Sequence, residues 1–371
     1  MNYKLNCRFF SGYKPCAFKR PCDGCDHYDM VEQRILIISL EAMGAVLRST
    51  CLLPPIKKKF PRGHITWVTL PNAKALLENN PYIDRIIAYQ SEDVKLLEYL
   101  SFDVAFCVDK SLQAGALAEM VQAKEKYGFG LTKEGAIRPL NKGALYQYQV
   151  GLDDQLKFFD NQKPETEQIT NSMELEWVRD SYVLELSALE KQSVATRRSR
   201  IIGEAKGIIG FNTGCSLLFP YKKLPLPKAI ELISAWRSSF PDYAVALLGG
   251  REDTLRQQLM KQAFVNDQKV ISTPTDEGLR SGILWMDTTD LVFSGCSLGM
   301  HIAIGLKKPT IAWFGVSCSQ EVDLYDLGLK IMARVPCTPC WKKNCNEEIK
   351  CYNQVSVDEV IKGTAALLPR H

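Results

Sequence analysis

The strongest constraint on this chain is a rhythm that occurs twice: short, uninterrupted apolar runs alternate with stretches whose apolar residues recur at helical spacing. Arg34–Leu40 (RILIISL) is such a run, and unbroken apolarity over so few residues marks a strand buried on both faces, as in a parallel sheet. Gly44–Phe60 follows with helical spacing and closes on Lys57, Lys58 and Lys59, cations suited to a helix C-terminus. The alternation predicts further strands at His64–Leu70, Arg85–Tyr89 and Asp103–Val108, with helices near 73–79 and 94–100 between them. From Glu165 to Arg200 the chain is polar and shows no strand pattern, so the linker between domains is placed there. The rhythm then restarts, with strands expected at Gly207–Asn212, Tyr243–Leu248, Val270–Ser272, Asp290–Ser294 and Pro309–Phe314, and helices near Pro227–Phe240 and Gly299–Leu306. Alternating β and α elements imply two doubly wound α/β domains. The expected division is an N-terminal extension at 1–32, a first domain with its linker at 33–190, a second domain at 191–354 and a C-terminal helix at 355–371.

The 371 residues, 46% of them hydrophobic, are enough for two such cores. With 46 basic and 42 acidic side chains the net charge is only +4, which excludes a dedicated nucleic-acid binder and leaves any anionic ligand to be held by local groups. The longest apolar runs fall well short of the roughly 20 residues that span a bilayer. The first residues carry no apolar segment followed by a small-residue cleavage site. A cytoplasmic protein is expected, at most peripherally associated with the inner face of the membrane.

The 13 cysteines are unevenly distributed. Cys7, Cys16, Cys22 and Cys25 form one group and Cys337, Cys340, Cys345 and Cys351 another. Four thiolates suit a tetrahedral zinc or iron ion, and each group contains a Cys-x-x-Cys pair able to grip one ion from a tight turn. Lys342 and Lys343 beside the second group are expected to favour its thiolates. A closed four-thiolate site staples a fold and leaves no open coordination position, so no cofactor is expected to take part in catalysis. Reduced cysteines without an ion are the plain alternative, and iron–sulfur redox chemistry is a more distant one.

Three stretches taken in order resemble the ADP-heptose:lipopolysaccharide heptosyltransferases, glycosyltransferase family nine. They are the opening strand, glycine turn and helix from ILIISLEAMGAVLRS, the loop GFNTGCSLLFPYKKLP, and the segment SGCSLGMHIAIGLKKPTIAWFG. The tail CTPCWKKNC with its following cysteine is similar to the cysteine-bearing segment of relatives that hold iron. The resemblance implies a GT-B fold, two Rossmann-like domains facing a cleft, and transfer of a sugar from a nucleotide donor of the ADP-heptose type to a glycan or other acceptor. A homo-oligomer is compatible with it.

Carried over residue by residue, the resemblance makes Lys222 the cation that neutralises the leaving diphosphate, with Lys223 as its neighbour in reserve. The family's general base is an aspartate after the first-turn glycine, but here Gly44 is followed by Ala45, and Glu41 on the same loop is the substitute. The family's donor-side aspartate is likewise replaced, by Cys296 ahead of Ser297. Ser297, Leu298, Gly299 and Met300 lead into the helix bearing His301, whose first N–H groups could face a pyrophosphate. Thr213 and Gly214, at the end of one strand, and Gly249 and Gly250, after another, could bring backbone close to the nucleotide. Arg48, one turn past Gly44, could reach an anionic acceptor or simply solvate its helix. His301, on an apolar helix, also fits a packing role. The replaced carboxylates leave a second reading: a catalytically degenerate GT-B protein that binds a nucleotide sugar or a partner.

Overall fold

The computed structural model describes residues 3–368, which form two compact units. The first, up to Leu152 together with Glu167–Val183, is built on a six-stranded sheet. Its strands are β1 (Gln33–Ile38), β2 (Gly63–Thr69), β3 (Arg85–Ala88), β4 (Ser101–Cys107), β5 (Gln122–Leu131) and β6 (Ile137–Pro139), in the order β3-β2-β1-β4-β5-β6. All neighbours run parallel except β5 and β6. Ile35, Leu36, Ile37 and Ile38 of the central β1 are fully buried, as four consecutive apolar residues in a sheet covered on both faces must be.

The helix expected over Gly44–Phe60 is broken. Met43–Ser49 is α-helical, Thr50–Leu52 tightens to a 3₁₀ turn, and a new helix covers Leu53–Lys59. Pro54 and Pro55 explain the break: they lack the N–H that a continuing helix needs but are accommodated in the first turn of a new one.

The second unit comprises Asp153–Thr166 and the chain from Leu184 onward. Its sheet contains β7 (Gly207–Asn212), β8 (Tyr243–Leu248), β9 (Val270–Ser272), β10 (Leu291–Gly295), β11 (Thr310–Phe314) and β12 (Gly328–Met332), ordered β12-β11-β10-β7-β8-β9 and parallel throughout. Phe211, Trp236 and Phe293 form its aromatic centre, with ring centroids 5.6–5.8 Å apart. The Trp236 indole N–H is satisfied by Thr364 Oγ1 at 2.9 Å, from the terminal helix Val357–Leu367.

A single boundary near residue 190 therefore gives way to a chain that passes between the units three times. The polar stretch 165–200 is free of strands but is not plain linker: it contains helices Glu165–Ser172 and Ala188–Ile202. The second is started by a reciprocal cap in which Ser187 Oγ accepts the Glu190 N–H and the Glu190 carboxylate accepts the Ser187 N–H. Among the described residues no helix is long and apolar enough to cross a membrane.

Both sheets reverse strand order at one place, between β1 and β4 and between β7 and β10. Connections leave in opposite directions there, so the carboxyl ends of those strands border a crevice where α/β sheets commonly bind ligands.

Candidate functional site

In the first unit the crevice is edged by the turn after β1. Asp109, just past β4 and only 9% exposed, holds that turn. Its Oδ2 accepts the N–H groups of Leu40 (2.9 Å) and Glu41 (2.7 Å), and its Oδ1 accepts that of Ser111 (2.7 Å). Glu41 is thereby fixed through its backbone while its side chain stays exposed. Gly44 and Ala45 lie in the first turn of Met43–Ser49 and Arg48 in its last, all half-buried. Ala45 offers a methyl group where a base would stand. Sequence reasoning passed over Asp109, although a lone carboxylate directly after an apolar strand is a recognisable cue.

The second unit gathers far more polar chemistry at its switch point. Asn212, the last residue of β7, donates through Nδ2 to Gly214 O (3.1 Å), Ser294 Oγ (2.9 Å) and Ser297 Oγ (3.0 Å), tying the ends of β7 and β10 together. Because Ser297 Oγ is engaged by Asn212, it makes no side-chain cap on the helix Leu298–Gly305. The N–H groups of Leu298, Gly299 and Met300, which have no intrahelical acceptor, remain available to an anion. A side chain on Gly299 would overlap Asn212, so glycine is required for this approach. Met300 is fully buried and His301 is 7% exposed, so their side chains belong to the core and only the Met300 amide can serve a cradle.

Lys222 closes a 3₁₀ turn, Pro220–Lys222, whose backbone presses against the end of β10: a Cβ on Gly295 would overlap the Lys222 carbonyl. The half-buried ammonium is drawn below its usual value by loss of water, against the opposing influence of Cys296, Cys215 and Glu321. A desolvated cation is a strong partner for a diphosphate. Lys223, half-buried and next in sequence, acts electrostatically on Cys215 and Asp253.

Thr213 N–H and Oγ1 both donate to Leu248 O, at 2.8 and 2.9 Å, and this joins the turns after β7 and β8. Gly214 packs so tightly on Asp253 that any Cβ would collide with the carboxylate. Asp253 accepts the Gly250 N–H through Oδ2 at 3.1 Å, while its buried Oδ1 has no partner. Burial raises its pKa. Gly249 lies over the same carboxylate and over Gln257, whose amide is also buried without a partner. Asn212, Asp253 and Gln257 are residues that sequence reasoning missed, and their strand-end or post-glycine positions were the available signal.

The two cysteine groups differ. Cys337, Cys340, Cys345 and Cys351 line a single cavity of about 20 Å³, room for one ion-sized or water-sized occupant. Burial, then the neighbouring thiols, pushes Cys351 up to about 11, and burial also raises Cys337. For Cys337 and Cys351 this runs against the expectation that Lys342 and Lys343 favour the thiolates, and Lys342 reaches toward Glu347 at 3.8 Å. In the N-terminal group Cys7, Cys16, Cys22 and Cys25 are all half-buried, and each opens its own turn. Among the described residues no three or more His, Cys, Asp or Glu side chains converge in metal-holding geometry.

No protein-family profile matches the chain. It is 21% identical over 304 residues to lipopolysaccharide heptosyltransferase 1 of Campylobacter coli, covering 77% of this chain and 85% of that protein. The glycosyl transferase family 9 structure from Veillonella parvula superposes with a TM-score of 0.71 at 18% identity, over 91% of this chain and 98% of that one. The E. coli heptosyltransferase WaaC with ADP superposes at 0.64 with 15% identity, over 90% and 99%. The chain shares its fold with these glycosyltransferase structures and is distantly similar in sequence to a heptosyltransferase. Its two parallel-rich sheets are the Rossmann-like domains of a GT-B fold, and the cysteine-bearing extension ahead of β1 and the loss of a carboxylate at Ala45 set it apart from the pattern that its sequence resembles.

Proposed function

We propose that this chain is a glycosyltransferase that moves a sugar from a nucleotide donor of the ADP-heptose type to a hydroxyl of a glycan acceptor, of which a lipopolysaccharide is the form that the curated relative's name suggests. The observation that carries the reading is Lys222, a desolvated cation on a turn whose backbone packs against Gly295 at the end of β10, the strand that leads into a helix start with uncommitted amides. In the transfer the acceptor oxygen attacks the anomeric carbon, the bond to the diphosphate oxygen breaks, and charge develops on the leaving group. Lys222 and the amides of Leu298, Gly299 and Met300 would take up that charge, which lowers the barrier when it is stronger in the transition state than in the bound donor. Glu41 would accept the acceptor proton, with its loop held by Asp109. Thr213, Gly214, Gly249 and Gly250 would line the nucleoside end, and Arg48 would meet an anionic acceptor.

The four tail cysteines, which line one cavity without converging on a point in it, are proposed to close on a structural zinc or iron ion, for which four thiolates are the right donor set. The N-terminal group is proposed as a second thiolate site, because an extension this short has little core of its own. The protein would work in the cytoplasm at the membrane's inner face, without nucleic acid, and a homo-oligomer fits the reading.

Calorimetric titration of metal-analysed protein with ADP and ADP-heptose tests it. Binding of both, with transfer to a glycan acceptor followed by mass spectrometry, is the expected result. Protein that is folded yet binds neither nucleotide overturns the reading.

A further inference from the structure

The cysteine tail and the Lys222 turn meet through aromatic rings that directly follow two of the cysteines. Trp341 follows Cys340 and Tyr352 follows Cys351. The Trp341 ring lies 3.9 Å from the Lys222 ammonium and meets Phe219 edge-on, with centroids 5.2 Å apart and planes at 84°. Tyr352 stacks on Tyr221 at 5.7 Å with planes only 8° apart. The turn Phe219–Lys222 is thus held to the tail at two points, through Trp341 and through Tyr352. Trp341 is itself locked: its N–H and that of Cys340 both donate to Val316 O, at 2.9 and 3.1 Å, and its backbone sits at φ 48°, a left-handed conformation uncommon for a bulky residue. A half-buried ammonium has lost much of its water, and the face of an indole is the best aromatic replacement for it.

We propose that Trp341, supported by Tyr352, is a positioning residue for Lys222, so that the cysteine-bearing tail governs diphosphate binding through the aim of that one cation. Neither ring touches the diphosphate; both act by fixing the turn that carries Lys222. The inference rests on the reading of Lys222 as the diphosphate partner.

The test is calorimetry with two probes, ADP and adenosine, on the full chain and on variants whose melting temperatures are measured alongside. Trp341→Leu is expected to weaken ADP binding roughly tenfold, the size of a desolvated cation–π contact, with adenosine binding unchanged. Trp341→Phe, which keeps a ring face, is expected to recover most of the loss. If Trp341→Leu fails to fold, Tyr352→Leu puts the same question at the second contact, with an expected loss of about threefold for ADP alone. The proposal is overturned if the leucine variant binds ADP as the parent does, if ADP and adenosine weaken together, or if phenylalanine gives no recovery. Lys222→Ala separates this failure from failure of the reading it rests on: full ADP affinity in this variant removes Lys222 as the diphosphate's partner, whereas a loss there with no loss in Trp341→Leu overturns the positioning role alone.

Discussion

Read outward from the switch point, the two sheets have the same wiring, β3-β2-β1-β4-β5-β6 and β9-β8-β7-β10-β11-β12, yet the turns at their switch points carry different chemistry. In the first unit the turn after β1 presents one exposed carboxylate, Glu41, on a loop fixed by Asp109, followed by Ala45. In the second, Asn212 links two strand ends, a helix start keeps its amides open, and Lys222 is seated against Gly295. Topology places a crevice in both, and side chains decide what each can bind. The second gathers a cation, open amides and linked strand ends, while the first rests on one residue.

That contrast is most sharply tested at Glu41. Glu41→Gln is expected to lower the transfer rate by about 100-fold or more, the range of a lost general base, while ADP affinity stays at the parent value. A rate within threefold of the parent would leave the first unit without a catalytic carboxylate.

Next in size is an acid sensitivity located in the second unit. Arg280 binds the Glu190 carboxylate at 2.6 Å and, with the Ser187 N–H, holds it down at about 2. A carboxylate whose folded-state value lies below its unfolded one stabilises the protein above the unfolded value, and the contribution fades as pH falls through the folded value. Glu190→Gln should therefore cost about 2 kcal/mol at neutral pH, with the gap between the two proteins closing as pH drops from about 4.5 toward 2. Thermal melts across that range check it, and a gap independent of pH would refute it.

The smallest effect is expected at Gly295→Ala. The new methyl must displace the Lys222 carbonyl, so ADP affinity should fall about tenfold with about 1–2 kcal/mol of lost stability. Unchanged ADP affinity would mean that Lys222 tolerates movement of its turn.

How much of this was legible in the sequence depends on whether the signal was local. β7 and β8 stand where the apolar runs predicted them, because a strand buried on both faces advertises itself in consecutive residues, and the short edge strand β9 also falls where it was expected. β5 was not seen: QAKEKYGFGL begins polar and becomes buried only at its far end, beside the antiparallel β6. β12, at the sheet edge with only Ile331 buried, gave no apolar run to read. Lys222, Ser297 and Gly299 were visible through resemblance, but their supports were not. Asn212 and Asp253 act through contacts with residues distant in sequence, and nothing around Trp341 in the sequence signals that it meets Lys222. At Cys337 and Cys351 the thiol expectation missed for a related reason: neighbours along the chain suggested cationic help, whereas three-dimensional burial pushes these two the other way.

The threefold passage of the chain between units has a consequence for anyone who would recombine or dissect this protein. Neither unit is a continuous stretch, so no single cut yields two complete pieces. A graft of the second unit onto a relative has to bring Asp153–Thr166 with it and return Glu167–Val183 to its donor's first unit. During synthesis the first unit likewise stays incomplete until Val183 has left the ribosome, by which time the opening segment of the second is already waiting for its partner.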